Sequence, residues 1–291
     1  MNIYEIFLAA VALVPATVLC CYVYKKDRAD KEPIGFLLFL MALGALSAVP
    51  VVITSDPINS FIDSFFSSFG TEENGAVYLS KPLYQIYLFV SNTIGVALIE
   101  EGFKWIALYF ATKDSKHFNS LFDGVIYAVF VSLGFAALEN VKYTFNYGLE
   151  TGLMRAFTSV PGHMFFGVLM GTYYTMWNVY NEASKLEISC VSNGIISARK
   201  PYISGKNYLR LSIIFPVLAH GVYDYFCSYP STLFTVLFYA FLLALYVTQF
   251  RRISYISKFD RSELTVANGI LVNKYPQLRE YFIQQRQMSQ E

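Results

Sequence analysis

The sequence predicts an all-α polytopic membrane protein with about seven transmembrane helices, N-terminus outside and C-terminus in the cytoplasm. Three observations lead there. The chain of 291 residues is 55% hydrophobic and only 15% charged, where a soluble domain carries about 25% charged residues. Seven apolar stretches, at residues 3–24, 34–54, 86–110, 122–145, 157–180, 209–227 and 232–250, approach the roughly 20 residues a helix needs to cross a bilayer. The basic residues gather on one side of these stretches, and basic loops stay in the cytoplasm.

The first stretch has only Glu5 ahead of its apolar run and no small-residue cleavage site, so it reads as a retained span, not a signal peptide. The loop after it holds Lys25, Lys26, Arg28 and Lys31. The loop after the third holds Lys113 and Lys116, and that after the fifth holds Lys185, Arg199, Lys200, Lys206 and Arg210. Arg251, Arg252, Lys258, Arg261, Lys274, Arg279 and Arg286 follow the seventh. Of 22 basic residues only Lys81 and Arg155 fall on the opposite side, with Lys104 and Lys142 inside spans. Segment 55–85 contains Phe61, Ile62, Phe65, Phe66 and Phe69, the apolar face of a short helix lying flat in the outer interface or buried as a loop helix. Segment 182–207 is polar with Gly and Ser and reads as a mobile inner loop. The tail from Arg251 is mixed polar and partly helical. Cys20, Cys21, Cys190 and Cys227 show neither metal-ligand nor disulfide spacing.

Four spans carry ionisable groups in their bodies: Glu100, Glu101 and Lys104 in the third, Glu139 and Lys142 in the fourth, His163 in the fifth, His220 and Asp224 in the sixth. A charge at the bilayer centre costs about 2.5–3.5 kcal/mol on insertion scales, so such groups are seldom kept without a use. Glu100 and Lys104, four apart, share a helix face and can pair, leaving the other acid to face a cavity. Counted at about 1.5 Å per residue, Glu139, His163 and His220 lie at similar depth in the outer half, with Glu100 and Glu101 deeper. Two imidazoles and a carboxylate with an open position are a common catalytic zinc set, and a divalent cation would offset the acidic excess. A free Glu would then serve as base. The metal-free alternative is a Glu-activated water with His donors at the oxyanion. Bland readings stand beside these: a lone His as an interhelical hydrogen-bonding group, His163 on a small-residue face with Gly167 and Gly171, and Glu139–Lys142 as a structural ion pair.

At these residues the chain resembles the PrsW family of intramembrane proteases, in a superfamily with the type II CAAX prenyl endopeptidases. The matching elements are Glu100-Glu101-x-x-Lys104, Phe135-x-x-x-Glu139, His163 and His220-x-x-x-Asp224, with Phe122-Asp123-Gly124 and Glu139-Asn140 in support. They cover residues 86–229. The CAAX enzymes usually carry His where this chain has Glu139, which favours the PrsW branch. The resemblance implies hydrolysis of a single-span membrane protein near its extracytoplasmic side, an anti-sigma factor in the PrsW type, in regulated proteolysis under stress.

The combined expectation is an intramembrane endopeptidase, with residues 1–250 as its transmembrane protease domain and 251–291 as a cytoplasmic tail. Glu100 or Glu101 is the general base and Lys104 neutralises its neighbour. Glu139, His163 and His220 bind Zn2+ or, without metal, orient water and oxyanion. Asp224 fixes the His220 tautomer, and Lys104, Asn140 and Tyr143 support the site. The alternative from another class is a proton- or ion-coupled membrane transporter, since acid and His chains also make ion relays. No inverted repeat or matched pair of broken helices supports it.

Overall fold

The structure, a computed structural model, describes residues 2–28, 30–198 and 200–288. Arg199 and the side chain of Arg286, two of the basic residues expected on the inner side, lie outside the described residues. Helix α1 (Ile3–Lys26) opens with a capping box. The Asn2 side-chain oxygen accepts from the Glu5 amide at 2.8 Å, and the Glu5 carboxylate accepts from the Asn2 amide at 3.0 Å. Helices α2 (Ile34–Leu46) and α3 (Ala48–Ser67) are separated only by Ser47. The second apolar stretch therefore does not end at 54. The Thr54 and Ser55 hydroxyls bond back to the Pro50 and Val51 carbonyls, so these polar residues continue the helix. Ile62 and Phe66 are buried on α3 and Phe61 and Phe65 are exposed, in place of a separate flat helix. A hairpin follows, β1 (Thr71–Glu73) with β2 (Ala76–Tyr78). Its turn is Asn74-Gly75 with both φ positive, the pairing that a two-residue hairpin turn favours.

The third span is one helical run built of α4 (Lys81–Val90), a π-helical segment Ser91–Ala97 and α5 (Leu98–Thr112). Then come α6 (Asp123–Tyr147), a short α7 (Leu149–Phe157), α8 (Ser159–Ser192), α9 (Lys206–Ser228), α10 (Thr232–Lys258), α11 (Glu263–Lys274) and α12 (Leu278–Met288). Gly148, at φ 90°, turns the chain between α6 and α7, a backbone state that glycine reaches without steric cost.

Among the described residues six helical runs are long and apolar enough to cross a bilayer: Ile3–Lys26, Ile34–Ser67, Lys81–Thr112, Asp123–Tyr147, Lys206–Ser228 and Thr232–Lys258. Helix α8 takes the place of the fifth expected stretch and, with 34 residues, is about 51 Å long. Helix α6 is the centre. Of its apolar window 83% is buried, against 22–33% for the other five runs. Helices α1 and α2 pack along it, as does α8. The outer flanks of α1, α2 and α10 present Val14, Val18, Leu38, Val236 and Leu243, an apolar surface of the kind that marks contact with a membrane.

At the start of α6, Asp123 accepts from the Asn119 and Ser120 amides at 2.8 and 2.6 Å, so it secures the loop entering α6 and stands far along the helix from Glu139. Helix α8 runs on to Ser192, which makes the first part of the expected mobile loop helical. Buried Glu187 is the reason. It accepts from Lys274 Nζ at 2.5 Å, Tyr275 OH at 2.6 Å and the Ile203 amide at 2.7 Å. Cys190, Ile196, Leu271, Tyr275 and Leu278 close a small second core there.

Candidate active site

The first two turns of α5 bring three charges into the bundle. Glu101 and Lys104 are fully buried and Glu100 nearly so. Lys104 Nζ donates to Glu101 Oε1 at 2.8 Å and more weakly to Glu100 Oε2 at 3.4 Å. It lies 3.1 Å from His163 Nδ1 and 3.9 Å from the centre of the Phe135 ring. The lysine is thus held mainly by Glu101, three residues away, and it is Glu100 that faces the cavities.

His163, on α8, turns Nε2 to Glu139 Oε2 at 2.9 Å. Glu139, on α6, also accepts from Arg155 of α7 at 2.7 Å. The alternative reading of Glu139 and Lys142 as a structural ion pair has no support among the described contacts: Lys142 is exposed, at the wall of a cavity between α3 and α6. Arg155 Nε donates to Asn140 Oδ1 at 3.3 Å, and its guanidinium lies 4.0 Å above the Tyr143 ring. Asn140 in turn donates to the Ala12 carbonyl of α1 at 2.9 Å. His220, on α9, places Nδ1 3.0 Å from Glu101 Oε1 and Nε2 3.2 Å from Asp224 Oδ2. Its ring stacks on Phe166.

The seven side chains Arg155, Glu139, His163, Lys104, Glu101, His220 and Asp224 form one unbroken line of contacts, none longer than 3.2 Å. Both imidazoles share an arrangement: Nδ1 points inward to the Glu101–Lys104 centre and Nε2 outward to a carboxylate. Sequence counting left the Glu pair deeper than the histidines. The intervening chain is not uniform α-helix, and the π-helical segment before Glu100 winds more loosely, a feature frequent at functional sites. Helix α9 docks against that segment at Gly221, where a side chain would meet Thr93 Oγ1 at 2.5 Å. Trp105 Nε1 donates to Ser212 Oγ at 2.8 Å and fixes the same pair of helices further in.

A cavity of about 390 Å³ opens onto Glu100, Glu139, Arg155, His163, His220 and Asp224. A second, of about 620 Å³, lies between α3 and α6 with largely apolar walls and shares Glu100, Glu139 and Tyr143. The carboxylates stand where the two meet. Every residue expected at the site from the sequence is in this region. Arg155 was missed, because α7 reads as loop; its signal was a lone basic residue on the side otherwise poor in them.

Glu100, Glu101, His163 and His220 each offer one ligand atom within 4.8 Å of the others, all four residues buried. Buried Glu101 Oε2 has no hydrogen-bond partner. Imidazole and carboxylate are the donors of hydrolytic metal centres, so this group fits a divalent ion in donor type and spacing. Glu139 stands beside the group, bonded to His163, and is not one of its four members. Four carboxylates here face two fixed cations, Lys104 and Arg155, an acidic excess that a metal would offset.

The family model described as "PrsW family intramembrane metalloprotease" matches residues 32–248. The chain is 29% identical over 255 residues to Protease PrsW of Halalkalibacterium halodurans, covering 87% of this chain and 99% of that protein. It is 31% identical over 221 residues to Protease PrsW of Shouchella clausii, covering 76% and 83%. With Protease PrsW of Bacillus subtilis it shares 29% over 216 residues, covering 73% and 79%. No solved structure matches. A buried Glu/His group held by three helices of a multi-span bundle, and a match over most of the chain, lead to one assignment: the chain belongs to the PrsW family of intramembrane metalloproteases.

Proposed function

We propose that this peptidase cuts a single-span, membrane-anchored protein near its extracytoplasmic side, from a bundle of seven spans with N-terminus out and C-terminus in. Residues 1–250 are its protease domain and 251–291 its cytoplasmic tail. By family resemblance the substrate is an anti-sigma factor, and the cut starts a stress response. The observation that carries the reading is the buried group of Glu100, Glu101, His163 and His220 at the meeting of two cavities.

His163 Nδ1, His220 Nδ1 and Glu101 would hold zinc, which when bound supplies a water acidic enough to ionise near neutral pH. The chain's own groups do the rest. Glu100, reached from both cavities, takes the water proton as general base and returns it to the leaving amine. Lys104 neutralises the paired carboxylates. Asp224 and Glu139 accept from the outward Nε2–H of His220 and His163, the usual carboxylate–histidine support of a metal centre, and a metal would take the Nδ1 atoms that otherwise face Glu101 Oε1 and Lys104 Nζ. In the metal-free version Glu100 still activates water and the histidines orient it.

Purified protein in proteoliposomes with a single-span reporter tests this. Cleavage falls about 10²–10⁴-fold in Glu100→Gln, the range for loss of a general base, and is lost in His220→Ala, while both variants remain in the membrane. Wild-type rates in both would overturn the assignment. Chelation followed by readdition of zinc separates the two versions of the chemistry.

A further inference from the structure

We infer that Arg155 is a positioning residue for His163, acting through Glu139. The inference rests on the peptidase reading above. Its basis is an asymmetry between the two histidines. His220 receives its orienting carboxylate, Asp224, from the next turn of its own helix, so the helix backbone fixes both. His163 receives Glu139 from a different helix, and the Glu139 side chain is 18% exposed, toward the cavity. A carboxylate at a wet cavity wall needs a second anchor to keep one oxygen on the imidazole. Arg155 provides it. Its guanidinium donates at 2.7 Å to Glu139 Oε2, the oxygen that also meets His163 Nε2.

Arg155 is itself clamped. It bonds Asn140 and stacks on Tyr143, so three α6 side chains within five positions grip one planar group. Asn140 is tied to α1 through the Ala12 carbonyl. The end of α7 is held by Tyr246 of α10, whose hydroxyl donates to the Phe157 carbonyl at 2.8 Å. A planar fork suits such multiple contacts, and a lysine ammonium does not reproduce them. With Glu139 fixed, the His163 Nε2–H keeps its acceptor and the ring stays turned with Nδ1 toward Lys104 Nζ, 3.1 Å away.

The chain has three histidines, so 15N-histidine labelling yields three imidazoles, assigned by single His→Gln variants. At one fixed pH, the wild-type His163 Nε2–H lies far downfield and exchanges slowly with water, and in Arg155→Gln it moves upfield and exchanges at least tenfold faster, while Lys104 keeps Nδ1 an acceptor in both. In turnover, Arg155→Gln lowers kcat tenfold or more with KM within twofold, and Arg155→Lys recovers part of the loss. In a Glu139→Gln background, Arg155→Gln costs less than twofold further, because its route is already cut. Should Arg155→Gln fail to fold, Arg155→Lys carries the Nε2–H measurement, with a smaller change expected. An unchanged His163 Nε2–H shift and exchange rate in a folded Arg155 variant overturns the inference. So do losses that multiply between Arg155→Gln and Glu139→Gln, or a raised KM at constant kcat, which would make Arg155 a substrate contact. If the wild type cleaves no reporter, the peptidase reading fails, while the Nε2–H measurement still decides the role of Arg155.

Discussion

Lys104 sets the charge balance of the site. Its ammonium has three hydrogens and three acceptors around it, Glu100, Glu101 and His163, and its side chain is fully buried. Removing one partner of a buried ion pair leaves the other uncompensated and costs about 3–5 kcal/mol. Lys104→Met is therefore expected to lower the melting temperature in detergent sharply, whereas exposed Lys142→Met leaves it unchanged; equal melting temperatures would show that the pair is not a net support. The role of Lys104 was legible in the sequence because an ammonium within an apolar run has few options besides a carboxylate one turn away. The choice between its two glutamates was not, since both spacings of three and four bring side chains together and only the rotamers decide. Arg155 was illegible for a different reason. Its partner Glu139 is 16 residues away across a reversal at Gly148, and no periodic pattern marks a contact of that kind.

Among the elements, the long runs were readable and their ends were not. Apolar residues over 20 or so positions fix the existence of a span, yet α3 continues past Ser55 and α8 past Glu182, because polar side chains there found partners within the fold. Thr54 and Ser55 turned to their own helix backbone. Glu187 found Lys274 and Tyr275, 87 and 88 positions on, which no local reading anticipates. The Asn74-Gly75 hairpin carried its signal openly and was overshadowed by the phenylalanines before it. The Glu187 anchor makes the C-terminal end of α8 and helix α11 one unit. Lys274→Met removes one charged hydrogen bond to a buried carboxylate, worth about 1.5–3 kcal/mol. Amide exchange across Glu263–Lys274 is expected to quicken while exchange in α6 stays as in the wild type. Unchanged protection in α11 would mean the apolar contacts of Leu271 and Tyr275 suffice alone.

At the scale of the molecule, one heavily buried helix, α6, organises the bundle, and the site opens toward one end of it. That end is the hairpin end. Tyr225 OH donates to Gln85 Oε1 at 2.8 Å and Ser228 Oγ to Asn92 Oδ1 at 3.1 Å, so the cavity mouth on α9 adjoins the start of the third span, close behind β2. The opposite end carries the basic loops and α11. Which side of the membrane the peptide bond is cut on therefore reduces to which side the hairpin is on. Basic loops remain inside, and the hairpin strands carry Glu72 and Glu73 with no basic residue, so the hairpin is expected outside. In a chain with its four native cysteines replaced, Glu72→Cys should react with a membrane-impermeant maleimide in intact cells. Gly269→Cys, an exposed position on α11 with open space around it, should react only after permeabilisation. The reverse pattern would put the cavity mouth in the cytoplasm, and an extracytoplasmic cut could not then be made from it, however well the donor group were arranged.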